Sequence, residues 1–400
     1  MFFVSGGSDQ LANYLAVIKF ERKELRPPRE SSRKGLRLIQ HIFSKPHLGW
    51  ILLGMFCWPL PAFAYLQNTS DLQLDASDKS LIDREVEFCM QSIGATSASL
   101  AMSYQGKVVY SKGYGFSDRR QRRVTSNRVA MRLASCSKPF TAAAINALID
   151  QGLLKHDTPV FDYLGIAPSQ DLADPRVREI TIGHLLKHRG GWDRDKTFDP
   201  MYEIDRIKSE IGVSKVKKRH LVRYMWEQPL QFAPGTEDCY SNFGYLLLGL
   251  VIEKVTGKSY IKSIRELVTD PIDAGEIFLS SAVSQNRKSR EVFYPAENQL
   301  NLQLRDSSSG LTADPTTLCH FMEAFWLSGR KRTERTGWSF YQLGTHPQCT
   351  TALMEQRPDG LSFAVLFNRR QEETYRADND AIRERLNKTI DRLAGRWLDK

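Results

Sequence analysis

The chain has 400 residues, of which 41% are hydrophobic and 26% charged, the balance of an ordinary soluble globular protein. Its formal net charge is +10, but residues 1–64 hold nine Lys and Arg against four acidic residues and so account for half of that excess. The densest basic run, residues 215–220, contains no aromatic residue, which argues against nucleic-acid binding and favours a solvated helix face.

An apolar run near the N-terminus, residues 48–59, is shorter than the roughly 20 residues that span a bilayer. Four basic residues precede it, namely Arg33, Lys34, Arg37 and Lys45. The small-residue triplet ending at Ala64 follows it. This pattern predicts a signal peptide cleaved after Ala64, export to the periplasm or the extracellular space, and no membrane span after cleavage. Residues 1–64 are long for a signal peptide, which indicates a wrongly assigned start codon ahead of about residue 33. A buried core segment or an interfacial anchor is the alternative.

The remaining patterns predict strands near both ends and helices between them. In chain order these are a helix at 82–93, a hairpin of 98–103 and 108–114, helices at 141–151, 242–255 and 316–327, strands at 350–356 and 361–368, and a last helix at 382–397. We therefore predict an α/β (α+β) fold in residues 65–400. One antiparallel sheet would form from about 77–134 and 335–400, flanked by helices, beside a mainly helical part at about 135–334.

The first chemical motif is an S-x-x-K sequence at Ser135 and Lys138. The same spacing also begins at Ser31, Ser214, Ser259 and Ser328. Ser135 differs because a strong apolar helix follows it, which puts Lys138 one turn later on the same face. A serine hydroxyl needs a neighbouring base to act as a nucleophile, and a lysine can serve when burial lowers its pKa. The competing interpretation is a simple helix N-cap.

A second motif, Tyr240-Ser241-Asn242, directly precedes another apolar helix. A phenol beside an amine can relay a proton, and the Asn242 amide can bind a substrate carbonyl and hold Lys138. The competing interpretation is that Tyr240 caps the helix and packs in the core.

Four sequence blocks resemble those of the serine β-lactamase and penicillin-binding-protein superfamily, of the class C type, and they occur in the order found in that superfamily. They are SCSKPFTAAAINALIDQGLL, ITIGHLLKHRGGW, FAPGTEDCYSNFGYLLLGLVIEKVTGKSY and RPDGLSFAVLFN. The resemblance implies that Ser135 is the nucleophile, that Lys138 and Tyr240 form the acid/base pair, and that Asn242 contacts substrate. It also implies a small-molecule or peptidoglycan-type substrate, no cofactor, and a sheet domain beside a helical one.

The third motif of that superfamily, Lys-Thr-Gly or His-x-Gly on a strand beside the cleft, matches Gln342-Leu343-Gly344 here. Gln342 carries no positive charge, and His346 would take its place under a shifted alignment. Gly344 would let the substrate backbone approach closely. The backbone N–H groups of Ser135 and Thr345 are the implied oxyanion hole.

Two further patterns predict no metal site and leave the redox state open. His184 and His188 have zinc-like spacing, but the sequence lacks the Glu of H-E-x-x-H, so we expect no metal. Cys136 and Cys239 each adjoin a candidate catalytic residue, so a disulfide between them is one alternative, but buried free thiols are the state we expect.

Together these features predict a serine hydrolase that forms an acyl-enzyme with an amide or ester, such as a β-lactam, a D-Ala-D-Ala-type peptide or a small ester. The alternative from another class is a weakly catalytic or non-catalytic module that senses or binds a cell-wall ligand.

Overall fold

The largest element is a six-stranded antiparallel sheet. The computed structural model describes residues 21–22, 72–166, 172–281, 287–295, 301–333 and 338–397. The strands of the two described sheets are β1 (Glu21–Arg22), β2 (Ser97–Tyr104), β3 (Lys107–Gly115), β4 (Met131–Arg132), β5 (Phe278–Leu279), β6 (Leu311–Ala313), β7 (Trp338–His346), β8 (Thr350–Gln356) and β9 (Leu361–Phe367). The large sheet has the order β1-β7-β8-β9-β2-β3, and a second, small sheet has the order β4-β6-β5.

The helices lie mainly between the two groups of long strands. They are α1 (Ala76–Ile93), α2 (Lys138–Asp150), α3 (Val160–Leu164), α4 (Ile182–Leu186), α5 (Ile204–Glu210), α6 (Lys218–Trp226), α7 (Asn242–Thr256), α8 (Tyr260–Ile264), α9 (Asp306–Ser309), α10 (Pro315–Ala324) and α11 (Tyr375–Trp397). Within the described ranges, no helix is both long enough and apolar enough to cross a membrane. The predicted cleavage site at Ala64 lies outside those ranges.

Both faces of the large sheet are buried, and the side chains differ in size between them. Leu100, Met102 and Phe363 face the apolar cluster that includes residues of α1 and α11. Ala101 and Ala364 point the other way, into the core that includes residues of α2 and α7. Because successive side chains of a strand alternate between faces, β2 is buried almost throughout and still separates two cores.

The predicted α/β fold, with one antiparallel sheet built from both ends of the domain, is confirmed. Two details differ from the expectation. The helix predicted at 316–327 ends at Ala324, because the next residue, Phe325, is extended and bridges to Lys331. The short sheet of β4, β5 and β6 was not predicted, since its strands are only two or three residues long.

Candidate active site

Ser135 lies in a single 3-10 turn, Ala134–Ser137, that leads directly into α2. The turn begins with a backbone φ of 47° at Ala134, a left-handed conformation that is uncommon for a residue with a Cβ. Hydrogen bonds hold it there, because the Leu133 N–H donates to Leu311 O at 2.8 Å and the Leu311 N–H donates to Ser137 Oγ at 3.1 Å. The short strand β6 therefore fixes the turn that presents Ser135.

The structure brings Ser135, Lys138 and Tyr240 together. Ser135 Oγ lies 2.6 Å from the Tyr240 hydroxyl, and Lys138 Nζ donates to the same Oγ at 3.3 Å. The two candidate motifs, more than 100 residues apart in the chain, thus meet at one oxygen atom. A hydroxyl with an amine and a phenol in hydrogen-bond reach has the geometry required of an activated nucleophile.

Lys138 is buried, with 1% of the residue exposed. Its Nζ donates to Asn242 Oδ1 at 2.7 Å and to the Ser308 carbonyl at 2.8 Å. Both acceptors are carbonyl oxygens that cannot donate, so in the neutral amine they take both N–H bonds and the lone pair is left facing Ser135 Oγ. Burial holds the pKa of Lys138 well below its ordinary value, which favours that neutral form.

Tyr240 sits among aromatic and charged groups. The His188 ring stacks on it at 4.7 Å between centroids, and the Arg194 guanidinium lies 4.6 Å from its ring centroid. Burial raises the pKa of the Tyr240 phenol, and Arg194 and the hydrogen bond with Ser135 oppose that rise. Burial thus favours the uncharged states of both Lys138 and Tyr240.

Asn242 joins Lys138 to an acidic residue that the sequence did not single out. Its Nδ2 donates to Asp199 Oδ2 at 2.6 Å while its Oδ1 accepts from Lys138. The orientation of the amide is therefore fixed, with oxygen toward the amine and nitrogen toward the carboxylate. Asp199 also lies 3.6 Å from Arg194 Nη1, so the loop after α4 contributes an ion pair to the site.

The third motif lies on β7, and its glycine packs against the nucleophile turn. A Cβ on Gly344 would lie 2.2 Å from Leu133 O and 3.0 Å from Ser135 N, so only glycine fits there without movement. This packing puts the next residue, Thr345, beside the turn, on the same strand. Gln342 is buried and its Nε2 donates to the Leu343 carbonyl at 2.8 Å.

His346 is fully buried, and its Nε2 lies 2.8 Å from the Ser309 carbonyl. Burial holds its pKa well below the ordinary value, so the ring is neutral at pH 7. Neither Gln342 nor His346 therefore brings a positive charge from β7.

The remaining sequence candidates make ordinary structural contacts. His184 forms a capping box with Thr181 at the start of α4, and His188 Nδ1 accepts from the Ser241 N–H at 3.1 Å. Among the described residues, no group of three or more His, Cys, Asp or Glu could hold a metal ion. Cys136 and Cys239 are free thiols, as expected from the sequence.

The sequence patterns gave no role in the site to Asp199 or Ser308. Ser308 acts through its backbone carbonyl, so no side-chain pattern could have identified it. Asp199 carried no signal because it lies in an irregular loop, 43 residues before its partner Asn242.

A sequence model of the Beta-lactamase family matches residues 82–387. The chain belongs to the beta-lactamase family. The resemblance seen in the four sequence blocks is thereby confirmed.

Individual relatives cover the chain only in part. The probable fimbrial assembly protein FimD, serogroup H1, of Dichelobacter nodosus is 36% identical over 146 residues, 36% of this chain and 34% of that protein. Esterase EstB of Burkholderia gladioli is 28% identical over 200 residues, 49% of this chain and 50% of that protein. This beta-lactamase family chain therefore spans about a third to a half of the length of these relatives.

Among solved structures, the D-amino acid amidase of Ochrobactrum anthropi superposes with a TM-score of 0.62 at 18% identity. The alignment covers 79% of this chain and 99% of that one. At that identity the likeness shows a shared fold.

Proposed function

We propose that this beta-lactamase family member is a serine hydrolase that forms an acyl-enzyme at Ser135. The observation that carries the proposal is the convergence of the Lys138 amine, at 3.3 Å, and the Tyr240 phenol, at 2.6 Å, on Ser135 Oγ. An ordinary helix N-cap explains neither a lysine buried to 1% exposure nor a tyrosine aimed at the same hydroxyl.

In the acylation step, Ser135 Oγ forms a bond to the carbonyl carbon of an amide or ester while its proton passes to neutral Lys138. The backbone N–H groups of Ser135 and Thr345 stabilise the tetrahedral oxyanion. As the bond to the leaving group breaks, the Tyr240 phenol donates its proton to that group, and the Lys138 ammonium returns a proton to Tyr240. Water then cleaves the ester by the reverse sequence, which regenerates Ser135. In this scheme Asn242 holds Lys138 and Gly344 holds β7 against the nucleophile turn, whereas the side chains of Gln342 and His346 are buried and hydrogen-bonded within the protein.

The proposed substrates are an amide or ester of small or peptidoglycan-type molecules, including β-lactams and D-Ala-D-Ala-type peptides. The proteins compared above include an esterase and a D-amino acid amidase, whose names correspond to the two bond types proposed here, the ester and the amide. The absence of a cation at Gln342 favours esters or uncharged amides over substrates recognised by a carboxylate.

The test is intact-mass spectrometry of residues 65–400 incubated with a fluorophosphonate, a penicillin or p-nitrophenyl butyrate, with Ser135→Ala as the matched variant. We expect a covalent adduct that maps to Ser135 and steady release of p-nitrophenol. In Ser135→Ala the adduct should disappear and kcat should fall by on the order of 10⁴–10⁶. Unchanged turnover in that variant would refute the assignment.

The same experiment separates the enzyme from the sensor. Adducts that form but do not turn over would favour a ligand-binding sensor, because a sensor needs acylation without rapid deacylation. A folded protein that forms no adduct with any of the three probes would also contradict the hydrolase proposal.

We further propose that the mature protein is residues 65–400 and that it is exported, so that cleavage removes β1 and leaves β7 as the edge strand of the large sheet. The basic residues, the apolar run and the small-residue triplet ending at Ala64 support this. Expression in a bacterial host followed by N-terminal sequencing of the periplasmic fraction should give a chain beginning at Tyr65. A protein found only in the cytoplasm with an uncleaved N-terminus would refute it.

A further inference from the structure

The loop between α4 and α5 holds a charged pair against the candidate catalytic groups. Arg194 lies with its guanidinium 4.6 Å from the centre of the Tyr240 ring and its Nη1 3.6 Å from Asp199 Oδ2. Asp199 in turn accepts from the Asn242 amide that holds Lys138. Both side chains are largely buried, with 29% of Arg194 and 8% of Asp199 exposed, so solvent screens their charges only in part.

The loop is fixed on both sides of Arg194. Trp192 is buried and packs edge-on against Phe243 of α7 at 4.8 Å between ring centroids. The Asp193 side chain accepts from the N–H groups of Asp195 at 2.9 Å and Lys196 at 3.2 Å, which closes a tight turn. Further along, Asp199 Oδ1 accepts from the Met201 N–H at 3.0 Å. The guanidinium is therefore held beside the phenol before any substrate binds.

We propose that Arg194 is the positioning charge that sets the pH range of the Lys138 and Tyr240 proton relay, and that the opposite charge of Asp199 acts against it. The inference rests on the proposed acyl-enzyme function. Its basis is geometric, because β7 brings no cation to this site while Arg194 provides a permanent one in contact with the phenol.

One positive charge at this position acts on both members of the relay in the same direction. It favours the neutral amine of Lys138 over the ammonium by repulsion, and it favours loss of the Tyr240 proton by attraction. The negative charge of Asp199 acts in the opposite direction on both groups. Arg194 thus lowers both pKa values, and Asp199 raises both.

Other ionisable groups surround the relay and could contribute to the same pH profile. They are His188 stacked on Tyr240, Tyr245 with its ring 5.5 Å from Lys138 Nζ, Tyr202 in the loop, Arg305 before α9, and Cys136 next to Ser135. Burial keeps the pKa of His188 well below its ordinary value and raises those of Cys136 and Tyr245, so all three are uncharged near pH 7.

The experiment measures kcat/KM for p-nitrophenyl butyrate between pH 5 and 10 in the wild type, Arg194→Gln, Arg194→Lys and Asp199→Asn. Because burial raises the pKa of Tyr240 above its ordinary value of about 10, its deprotonation lies beyond this range, and the acidic limb reports the deprotonation of Lys138. In Arg194→Gln this acidic limb should move to higher pH by up to about 1 unit, because the guanidinium no longer repels the Lys138 ammonium. Arg194→Lys should restore most of the wild-type profile.

Asp199→Asn keeps an oxygen that can accept from Asn242 and removes only the charge. Its acidic limb should therefore move to lower pH, opposite in sign to that of Arg194→Gln. The matched control is Arg206→Gln, which removes an arginine that makes the same kind of contact with Phe198, at 4.3 Å, instead of with Tyr240. That variant should retain the wild-type pH profile.

The outcomes separate a failure of the proposed function from a failure of the role assigned to Arg194. A wild type that is not acylated at Ser135 at any pH would refute the proposed function itself. A wild type that is acylated, with an unshifted acidic limb in a folded Arg194→Gln protein, would overturn only the role of Arg194. Equal shifts in Arg194→Gln and Arg194→Lys would overturn it as well, because the charge would then not be the cause. Thermal unfolding of each variant establishes that it is folded.

Discussion

Replacing Gly344 by alanine is the most direct test of how β7 supports the nucleophile. The added Cβ would lie 2.2 Å from Leu133 O, 2.9 Å from Cys136 N and 3.0 Å from Ser135 N. A carbon and a carbonyl oxygen normally approach to no less than about 3.3 Å. Because all three neighbours are backbone atoms, rotation of a side chain cannot relieve the contact, and the strand or the turn has to move by about 1 Å.

A displacement of that size has separable consequences for stability and for chemistry. Overpacking in a buried region costs about 1–3 kcal/mol of unfolding free energy, so the thermal midpoint should fall by several degrees. Misplacing a reacting group by about 1 Å costs on the order of 10²-fold in rate. We therefore expect Gly344→Ala to be folded but slow, with a loss in kcat/KM of about that factor.

The assay combines thermal unfolding with the second-order rate of labelling by a fluorophosphonate. Gly395→Ala is the matched control, since a Cβ at that exposed position in α11 meets no heavy atom within 4 Å. That variant should label at the wild-type rate and gain up to about 1 kcal/mol of stability from its better helix propensity. Wild-type labelling by Gly344→Ala would refute the idea that β7 contacts the nucleophile turn so closely.

Three other substitutions probe separate parts of the molecule. Lys138→Met should lower kcat by about 10²–10⁴ because the general base is gone, and an unchanged rate of Ser135 labelling would contradict that role. Asp83 accepts from two tyrosines and Lys112, and the Lys112 hydrogen bond leads the contacts that hold its pKa below the ordinary value against burial. The wild type should therefore be more stable than Asp83→Asn above about pH 4, and this difference in unfolding free energy should disappear as the pH falls through the lowered pKa. Urea unfolding of both proteins at pH 7 and pH 3 measures whether the difference falls with pH. Trp397→Phe should lower the unfolding free energy by about 1–3 kcal/mol, because it removes the 2.7 Å indole hydrogen bond to buried Asp78, and unchanged thermal unfolding would argue against that contribution.

Local patterns in the sequence were sufficient for the long elements. The alternation of residues in the hairpin β2–β3 and the spacing of apolar residues in α11 reflect which face of each element is buried. Both elements are present as predicted. Patterns failed where a short segment depends on distant partners. β4, β5 and β6 are too short to show a period, although β6 supports the turn that carries Ser135.

The candidate site divides in the same way. Ser135, Lys138, Tyr240 and Asn242 could be found because each pair of motif residues shares a helix or its entrance, and their spacing is visible in the sequence. Their mutual distances depend on packing between elements far apart in the chain. The Ser308 carbonyl and the Asp199 carboxylate reach the site only through that packing. The roles of the four residues remain predictions until the labelling experiment is done.

The order of strands in the large sheet has a consequence for how the chain folds as it is synthesised. β2 pairs with β9, and Ala98 lies opposite Phe367, so the centre of the sheet closes only after nearly the whole domain has been made. At ribosomal rates the N-terminal hairpin waits on the order of tens of seconds for its partner strand. During that time an edge of β2 with an apolar face is exposed to other chains. We expect residues 65–400, made without the N-terminal segment and stalled before β9, to bind a holdase chaperone strongly, and release should follow once β9 leaves the ribosome.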